Sequence, residues 1–516
     1  MEGNKKQRTW GAVISYISVA VSIITGFFSV SLLTHFLGQS EYGVYSLVSS
    51  LVGYISIMDF GIHNVTVRYI AIYRADGEKK KQEKFVGLTL KLYFAIDIIV
   101  AGAGLVLYKA IPYFFASNMT LSEIQLAQEL FGVLLINLLI SLPGAIFAAN
   151  ITAYEQFIFD KTLQVIKLLS KLVLIFLVLR LGGKSLSLVW LDTALNIFVL
   201  IVEGIYCYKK LGFEVDFKSD SESKQLFKNV VRFTSFVFLA SISDQINWKI
   251  DGLILGTMCG SAAVAVSSVG MQLVSVYRSI TAVIPGVFLP RIAQMVTDKS
   301  DTEELTDVMI KIGRIQLFLI GLMLCGFMTI GKQFIMLWVG DSYHDAYWIF
   351  MIIALALIIP STQSIGINIL EAKNMHGFRA KVYACISIGN LVVTVFLVKI
   401  MGIVGSAIGT AIALIIGNVF VINWYYWKVI KLNISRFFQM VFGRLFPSII
   451  VSCVVCIFCM HFICTKVDQQ WLQLGLGGIA VILIYFVIVL SIGTSRDLKL
   501  SILDFFKEGN KLHEHH

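Results

Sequence analysis

The hydrophobicity of this chain repeats. Some fourteen apolar stretches, each long enough to cross a bilayer, fall into two sets of six followed by a final pair. The two sets share wording as well as spacing. "FLGQSEYGVYSL" from Phe36 follows the first stretch, and "ILGTMCGSAAVAV" from Ile254 follows the seventh. "VRYIAIY" from Val67 closes the second stretch and "PRIAQMV" from Pro290 the eighth. "LGGKSLSLVWLDTAL" from Leu181 is echoed by "MGIVGSAIGTAIAL" from Met401. Backbone polar groups in lipid must be satisfied within the protein, which leaves only helices or closed barrels. Runs this continuously apolar exclude the alternating pattern of a barrel strand. Duplicated helical bundles are a design in which one half rocks against the other around a central site. The repeat therefore points to an all-α integral membrane protein that moves something across the bilayer.

Composition agrees. Of 516 residues, 57% are hydrophobic and only 14% charged, against about 25% charged in a soluble domain. A spanning helix needs about 20 apolar residues. The expected spans are 11–36, 42–64, 85–108, 127–150, 162–180, 186–207, 233–255, 261–288, 312–331, 345–370, 379–399, 403–427, 445–465 and 470–492. They group into an N-lobe with the start of a linker (1–220), a C-lobe (221–440), and two further helices with a tail (441–516). The first stretch exceeds the usual length of a signal-peptide core and precedes no small-residue cleavage site, so it reads as a mature helix.

A net charge of +10 invites a nucleic-acid reading, which its distribution excludes. With the N-terminus inside, 31 of the 42 Lys and Arg fall in cytoplasmic segments and six in external loops. That asymmetry is the positive-inside rule, and it predicts an even helix count with both termini cytoplasmic. The Lys79–Lys81 run with Lys84 reads as a topology anchor beside anionic lipid heads. Cys453, Cys456, Cys459 and Cys464 superficially resemble a cluster-binding run. They lie in an apolar helix without loops or glycines, where Cys packs as a small hydrophobe. No metal, cofactor or nucleophile motif is expected. Gly405, Gly409, Ala413 and Gly417 form a small-residue ridge suited to close helix packing.

At "LLTHFLGQSEYGVYSL", "DFGIHNVTVRYIA", "IDGLILGTMCGSAAVAVSSVGMQL", "PGVFLPRIAQM" and "GIVGSAIGTAIA", the chain resembles the polysaccharide flippases of the multidrug/oligosaccharidyl-lipid/polysaccharide exporter superfamily, the O-antigen flippase (Wzx) type. The resemblance covers most of residues 11–430. It implies a flippase in a bacterial inner membrane, moving an undecaprenyl-pyrophosphate-linked oligosaccharide outward by alternating access, as a single-chain transport unit. It also implies a cavity walled by spans 1, 2, 7 and 8. The family often has Arg where this chain has His35, and Tyr where it has Ser267. Two alternatives stay open: a multidrug or cation antiporter of the same superfamily, and a polysaccharide polymerase or ligase. The first calls for an acidic cavity and the second for a large external loop, and neither is evident.

Ionisable groups inside spans cost about 2.5–3.5 kcal/mol each on insertion scales and usually face a cavity or a partner. Lys91, Asp192 and Glu203 lie near enough to helix ends to snorkel. Arg278 does not: it sits roughly 27 Å along the helix from Gly260 and roughly 20 Å from Arg291. It shares a face with Ser267, Met271, Ser275 and Ala282, and a guanidinium suits bidentate phosphate binding. An ion pair with Asp244 or Asp251 is the structural alternative. Span 2 carries a polar stripe of Ser46, Ser49, Gly53, Ser56 and His63. The expected substrate contacts are Arg278, Lys249, Ser49, Ser56 and Ser275, with Arg68 and Arg291 attracting the anion at the entrance; Lys249 is also close enough to the external end of span 7 to snorkel, and Arg68 and Arg291 equally suit topology anchors. Asp97, Asp244 and Asp251 are the candidates for proton or sodium coupling.

Overall fold

The structure is a computed structural model, and it describes the backbone of residues 2–493 except 219–220, 298–300 and 374. Among these residues there is no strand. The helices in chain order are α1 (Glu2–Ser56), α2 (Ile62–Ala75), α3 (Lys79–Phe115), α4 (Leu121–Ala153), α5 (Phe157–Arg180), α6 (Ser185–Leu211), α7 (Ser221–Met258) and α8 (Ser261–Thr297). They continue with α9 (Thr302–Val339), α10 (Ala346–Thr362), α11 (Ser364–Ala372), α12 (His376–Met401), α13 (Ile403–Leu414), α14 (Ile422–Tyr425), α15 (Ile434–Lys466) and α16 (Gln470–Ile488).

Twelve helical stretches among the described residues are long and apolar enough to cross a membrane. The first of them, Ile14–Ala75, is 62 residues long, about 93 Å at helical rise and some three times the hydrocarbon thickness. It holds two spans, divided where Gly38 takes φ 75° and ψ 175°, a region open essentially only to glycine. α7 falls outside the twelve because Asp244, Lys249 and Asp251 dilute its apolar character, yet its 38 residues follow the same pattern. The chain is an all-α membrane protein of about fourteen crossings.

Span 2 is not one helix. α1 ends in a 3-10 turn at Ile57–Asp59, and Phe60 (φ 53°) and Gly61 (φ 69°) both enter the left-handed region before α2 begins. In α12–α13 the small-residue ridge does face a neighbouring helix. A Cβ on Gly405 would overlap the Leu397 carbonyl, and one on Gly409 would overlap Thr394. Such contacts let backbones approach where lipid supplies no hydrophobic drive between helices. Two π-helical turns occur here, Ile415–Val421, which takes in Gly417 at the end of the ridge, and Tyr426–Ile430 beyond it.

The described contacts separate two compact units, Met1–Ser268 and Val269–His516. In unit 1, the segment after α6 is docked rather than loose. The Asp216 amide donates to the Glu83 carbonyl (3.2 Å), Lys91 Nζ donates to the Phe217 carbonyl (2.5 Å), and Lys79 pairs with Glu214 (2.9 Å). Phe213 and Val215 pack on a core of Val65, Ile70, Phe85, Val86, Ile146 and Ala153. In unit 2, α15 and α16 fold against α9: the buried Tyr485 hydroxyl donates to the Phe318 carbonyl (2.7 Å), and Gly321 gives room for Tyr485 and Ile449. Cys453 and Cys456 are buried beside Cys325 of α9.

Candidate functional site

In unit 1 the polar stripe of span 2 lies against α7. The Tyr54 hydroxyl donates to the Gln245 carbonyl (3.4 Å). A Cβ added to Gly252 would stand 3.5 Å from Ser50 Oγ, and Gly256 packs on Leu47 and Phe115. Small residues at 252 and 256, one turn apart, thus bring α7 close to α1. The same approach sets the Lys249 ammonium over Gly53: a Cβ there would lie 4.0 Å from Nζ. The cation therefore stands beside the stripe at Gly53, at ordinary contact distance from where a Cβ would be, and its side chain is exposed.

Ser49 and Ser56 flank that point with their hydroxyl hydrogens already used. Ser49 Oγ donates to the Tyr45 carbonyl (2.8 Å) and Ser56 Oγ to the Gly53 carbonyl (2.8 Å). What they present outward is oxygen lone pairs, so donation to an anion requires each hydroxyl to rotate away from its helix. Asp251 is 4% exposed and lies within electrostatic reach of Tyr54, whereas Asp244, two turns earlier, is exposed. Asp97 on α3 buries Oδ1 without a hydrogen-bond partner among the described residues. Among the described residues no three His, Cys, Asp or Glu side chains are grouped to hold a metal ion. Arg68 is exposed on α2.

In unit 2, α8 divides into a packed and an open face. Val274 and Tyr277 are fully buried, while Ser275, Arg278 and Ala282 are exposed. Tyr277 meets Phe350 edge-on at 6.2 Å, and Gly270 packs on Ile349; these contacts fix the rotation of the helix and so the side on which Arg278 stands. Ser275 holds its carbonyl to the Ser279 hydroxyl (2.9 Å). Arg291 belongs to α8, but its side chain lies outside the described residues.

Two features were not visible as such in the sequence. Asp59 occupies the break between α1 and α2, beside the buried Tyr93 hydroxyl; neither Asp59 Oδ1 nor that hydroxyl has a partner within strict hydrogen-bond geometry among the described residues. Asp192 and Glu203, expected to be able to snorkel, instead turn inward. Asp192 pairs with Lys171 at 2.7 Å, and Glu203 is 8% exposed. For Asp192 the reason is local: Lys171 on α5 offers it a partner closer than the membrane surface.

Comparison with known proteins places this architecture. A curated relative from Shigella flexneri named "Putative O-antigen transporter" is 20% identical over 435 residues, covering 81% of this chain and 97% of its own length. The fold is similar to that of a lipid II flippase, MurJ, in an inward closed conformation, with TM-score 0.71 and 15% identity over 92% of this chain and 98% of that one. It is also similar to an inward-facing multidrug resistance transporter of the MATE family, with TM-score 0.63 and 16% identity over 83% of this chain and 98% of that one. The family model described as polysaccharide biosynthesis protein matches residues 10–296, more than half of the chain, and the chain belongs to that family.

Proposed function

We propose that this transporter flips a polyprenyl-pyrophosphate-linked oligosaccharide, the undecaprenyl form in a bacterial inner membrane, from the cytoplasmic to the external leaflet by alternating access. The fold does not decide the cargo, because lipid flippases and multidrug exporters share it. The charges carry the reading. The Lys249 ammonium beside Gly53 and the Arg278 guanidinium on the open face of α8 are cations set well inside their helices. A cation exporter needs the opposite sign. The lipid tail of such a substrate can stay in the bilayer, so only the anionic head and its sugars need shelter. A fixed cation lowers the cost of taking pyrophosphate through low dielectric, and Arg adds bidentate geometry. Arg278 and Lys249 are the residues proposed to meet the pyrophosphate, with Ser49, Ser56 and Ser275 as secondary contacts. Arg68 and Arg291 serve its entrance.

The test is flipping of an undecaprenyl-pyrophosphate oligosaccharide in proteoliposomes. Arg278→Ala should insert and purify like the parent yet lose at least ten-fold in rate, on the scale of one charged hydrogen-bonding group. Arg278→Lys should retain partial activity. A well-folded Arg278→Ala protein flipping at the parental rate would remove Arg278 from the substrate path.

A further inference from the structure

Three turns at one end of unit 1 meet on a single carboxylate. Glu123 stands in the first turn of α4, where it and Thr120 cap the helix reciprocally. Its Oε2 accepts from the Thr120 amide (2.8 Å) and hydroxyl (2.9 Å). Its Oε1 reaches away from α4, accepting from the Ser40 hydroxyl (2.5 Å) and from the Ser261 hydroxyl. Ser40 follows the bend at Gly38 that divides the first two spans, and Ser261 opens α8 after the turn that ends α7. Around this point the backbones touch. A Cβ on Gly43 would overlap the Ser261 carbonyl, and one on Gly260 would overlap the Asn118 carbonyl. Asn118 Nδ2 also donates to the Thr257 carbonyl (2.6 Å).

The two hydroxyls come from corresponding places. Ser40 and Ser261 lie in the paired segments from Phe36 and from Ile254, whose wording repeats. One oxygen of α4 thus ties the leading turn of the first repeat to the leading turn of the second. Each hydroxyl sits close to a left-handed glycine, Gly38 (φ 75°) or Gly260 (φ 86°), at an element end of the kind that absorbs a hinge rotation. Ser40 is exposed and Glu123 half-buried, so water can take over each bond as the turns part. That exchange of protein partners for water keeps the net cost of opening small. Glu41 provides a contrast. Its Oε1 accepts from the Ser185 amide (2.8 Å) and hydroxyl (2.6 Å), but both residues belong to the first repeat, and they join elements that need not separate.

We propose that Glu123 is the catch of a releasable clasp: it holds the Ser40 and Ser261 turns together on the side that the charge distribution marks as external, and lets them go when the transporter opens to that side. The clasp is closed in this structure. Alternating access moves one repeat against the other, so a bond between their leading turns must break once in every cycle. A carboxylate suits that task. It is an acceptor only and draws donors from both turns at once, its charge-assisted bonds are short, and no covalent change is needed to release it. The proposal rests on the alternating-access reading and does not depend on which cargo is carried.

The first arm of the experiment reads the clasp without any cargo. Spin labels are placed on Ser122→Cys and on Cys259, exposed at the α7–α8 turn, in the full chain with its other cysteines replaced, in lipid nanodiscs. The parent should give one short distance. Glu123→Ala should populate a second, longer one. Ser40→Ala combined with Ser261→Ala should do the same while leaving the α4 cap whole, and carries the test if Glu123→Ala does not fold. Glu41→Ala should keep the parental distance. The parental distance alone in both clasp variants overturns the proposal. So does a broad spread with no second discrete distance, which marks a staple that keeps the turns folded, and so does an equal effect of Glu41→Ala. The second arm locks the clasp. Ser40→Cys and Ser261→Cys, whose oxygens share one partner atom, are joined by a disulfide in a chain otherwise free of cysteine. Flipping in proteoliposomes should fall roughly ten-fold or more on oxidation and return on reduction, because a blocked conformational step limits turnover. Parental flipping with the disulfide closed overturns the proposal. A parent that flips no undecaprenyl-linked cargo would sink the cargo reading, and the distances would still decide the clasp.

Discussion

Lys249 places its charge beside a position that has no side chain. Its ammonium lies where a larger residue at 53 would project, and the Cβ distance of 4.0 Å is ordinary van der Waals contact. Gly53→Ala should therefore be tolerated, and Gly53→Leu should push the ammonium off the stripe. The expected outcome is near-parental flipping for Ala and a loss of several-fold for Leu, with unchanged yield after membrane extraction. Equal rates in the two variants would show that the position of the Lys249 head is irrelevant to transport. The sequence already carried half of this arrangement, because Ser46, Ser49, Gly53 and Ser56 fall on one helical face. It could not carry the other half: that Lys249 sits over Gly53 depends on how closely α7 approaches α1. Arg278 was legible by depth alone, since neither helix end is within its reach. Which way it points depends on Tyr277 and Val274 being packed, a fact of tertiary contact.

At the scale of elements, the long apolar runs made the helices and their order plain, and the features missed are the ones that need a neighbour. A single Gly61 in an apolar pattern is compatible with an unbroken helix, so the interruption at Asp59–Gly61 left no distinct mark. The Lys171–Asp192 pair between α5 and α6 escaped because Asp192, taken singly, lay near enough to a helix end to have a cheap explanation. The segment after α6 read as a linker from its polar composition, but residues 213–217 are held against α3. Gly87 makes this docking fit: any Cβ there would overlap the Asp216 carbonyl. Gly87→Leu should lift the segment, and limited trypsin digestion should cut after the exposed Lys218 several times faster than in the parent. Unaltered cleavage would mean that the docked segment is held by other contacts. The Lys79 ammonium keeps the Glu214 carboxyl below its ordinary value, and a depressed carboxylate contributes above its unfolded value and loses that contribution as pH falls. Protection of Lys218 in the parent should accordingly weaken on acidification and be insensitive to alkaline pH up to the lysine range.

For the whole molecule, the count of crossings and the direction of the chain are one question, since each added or lost span inverts everything after it. The structure sets the length of each helix and not the side of the membrane on which it ends. The first 62-residue apolar stretch must cross twice, because about 93 Å of helix cannot be accommodated in about 30 Å of hydrocarbon and the chain bends at Gly38. α3 and α4 are then joined by the short segment around Ser117, which has only Lys109 nearby as a basic residue. α6 leads to a segment holding Lys209, Lys210, Lys218, Lys224, Lys228 and Arg232. Basic residues resist translocation and stay on the cytoplasmic side, so the second segment should be cytoplasmic and the first external. Three crossings, α4, α5 and α6, separate the two positions, and an odd number demands opposite sides. Reporter fusions that are active on only one side of the membrane, inserted after residues 117 and 219, should give opposite signals, with the cytoplasmic signal at 219. The same signal at both positions would mean that one of α4, α5 and α6 does not cross. A reversed pair would keep the count but turn the chain over, placing the basic segments outside and removing Arg68 and Arg291 from the face where a pyrophosphate made in the cytoplasm would arrive.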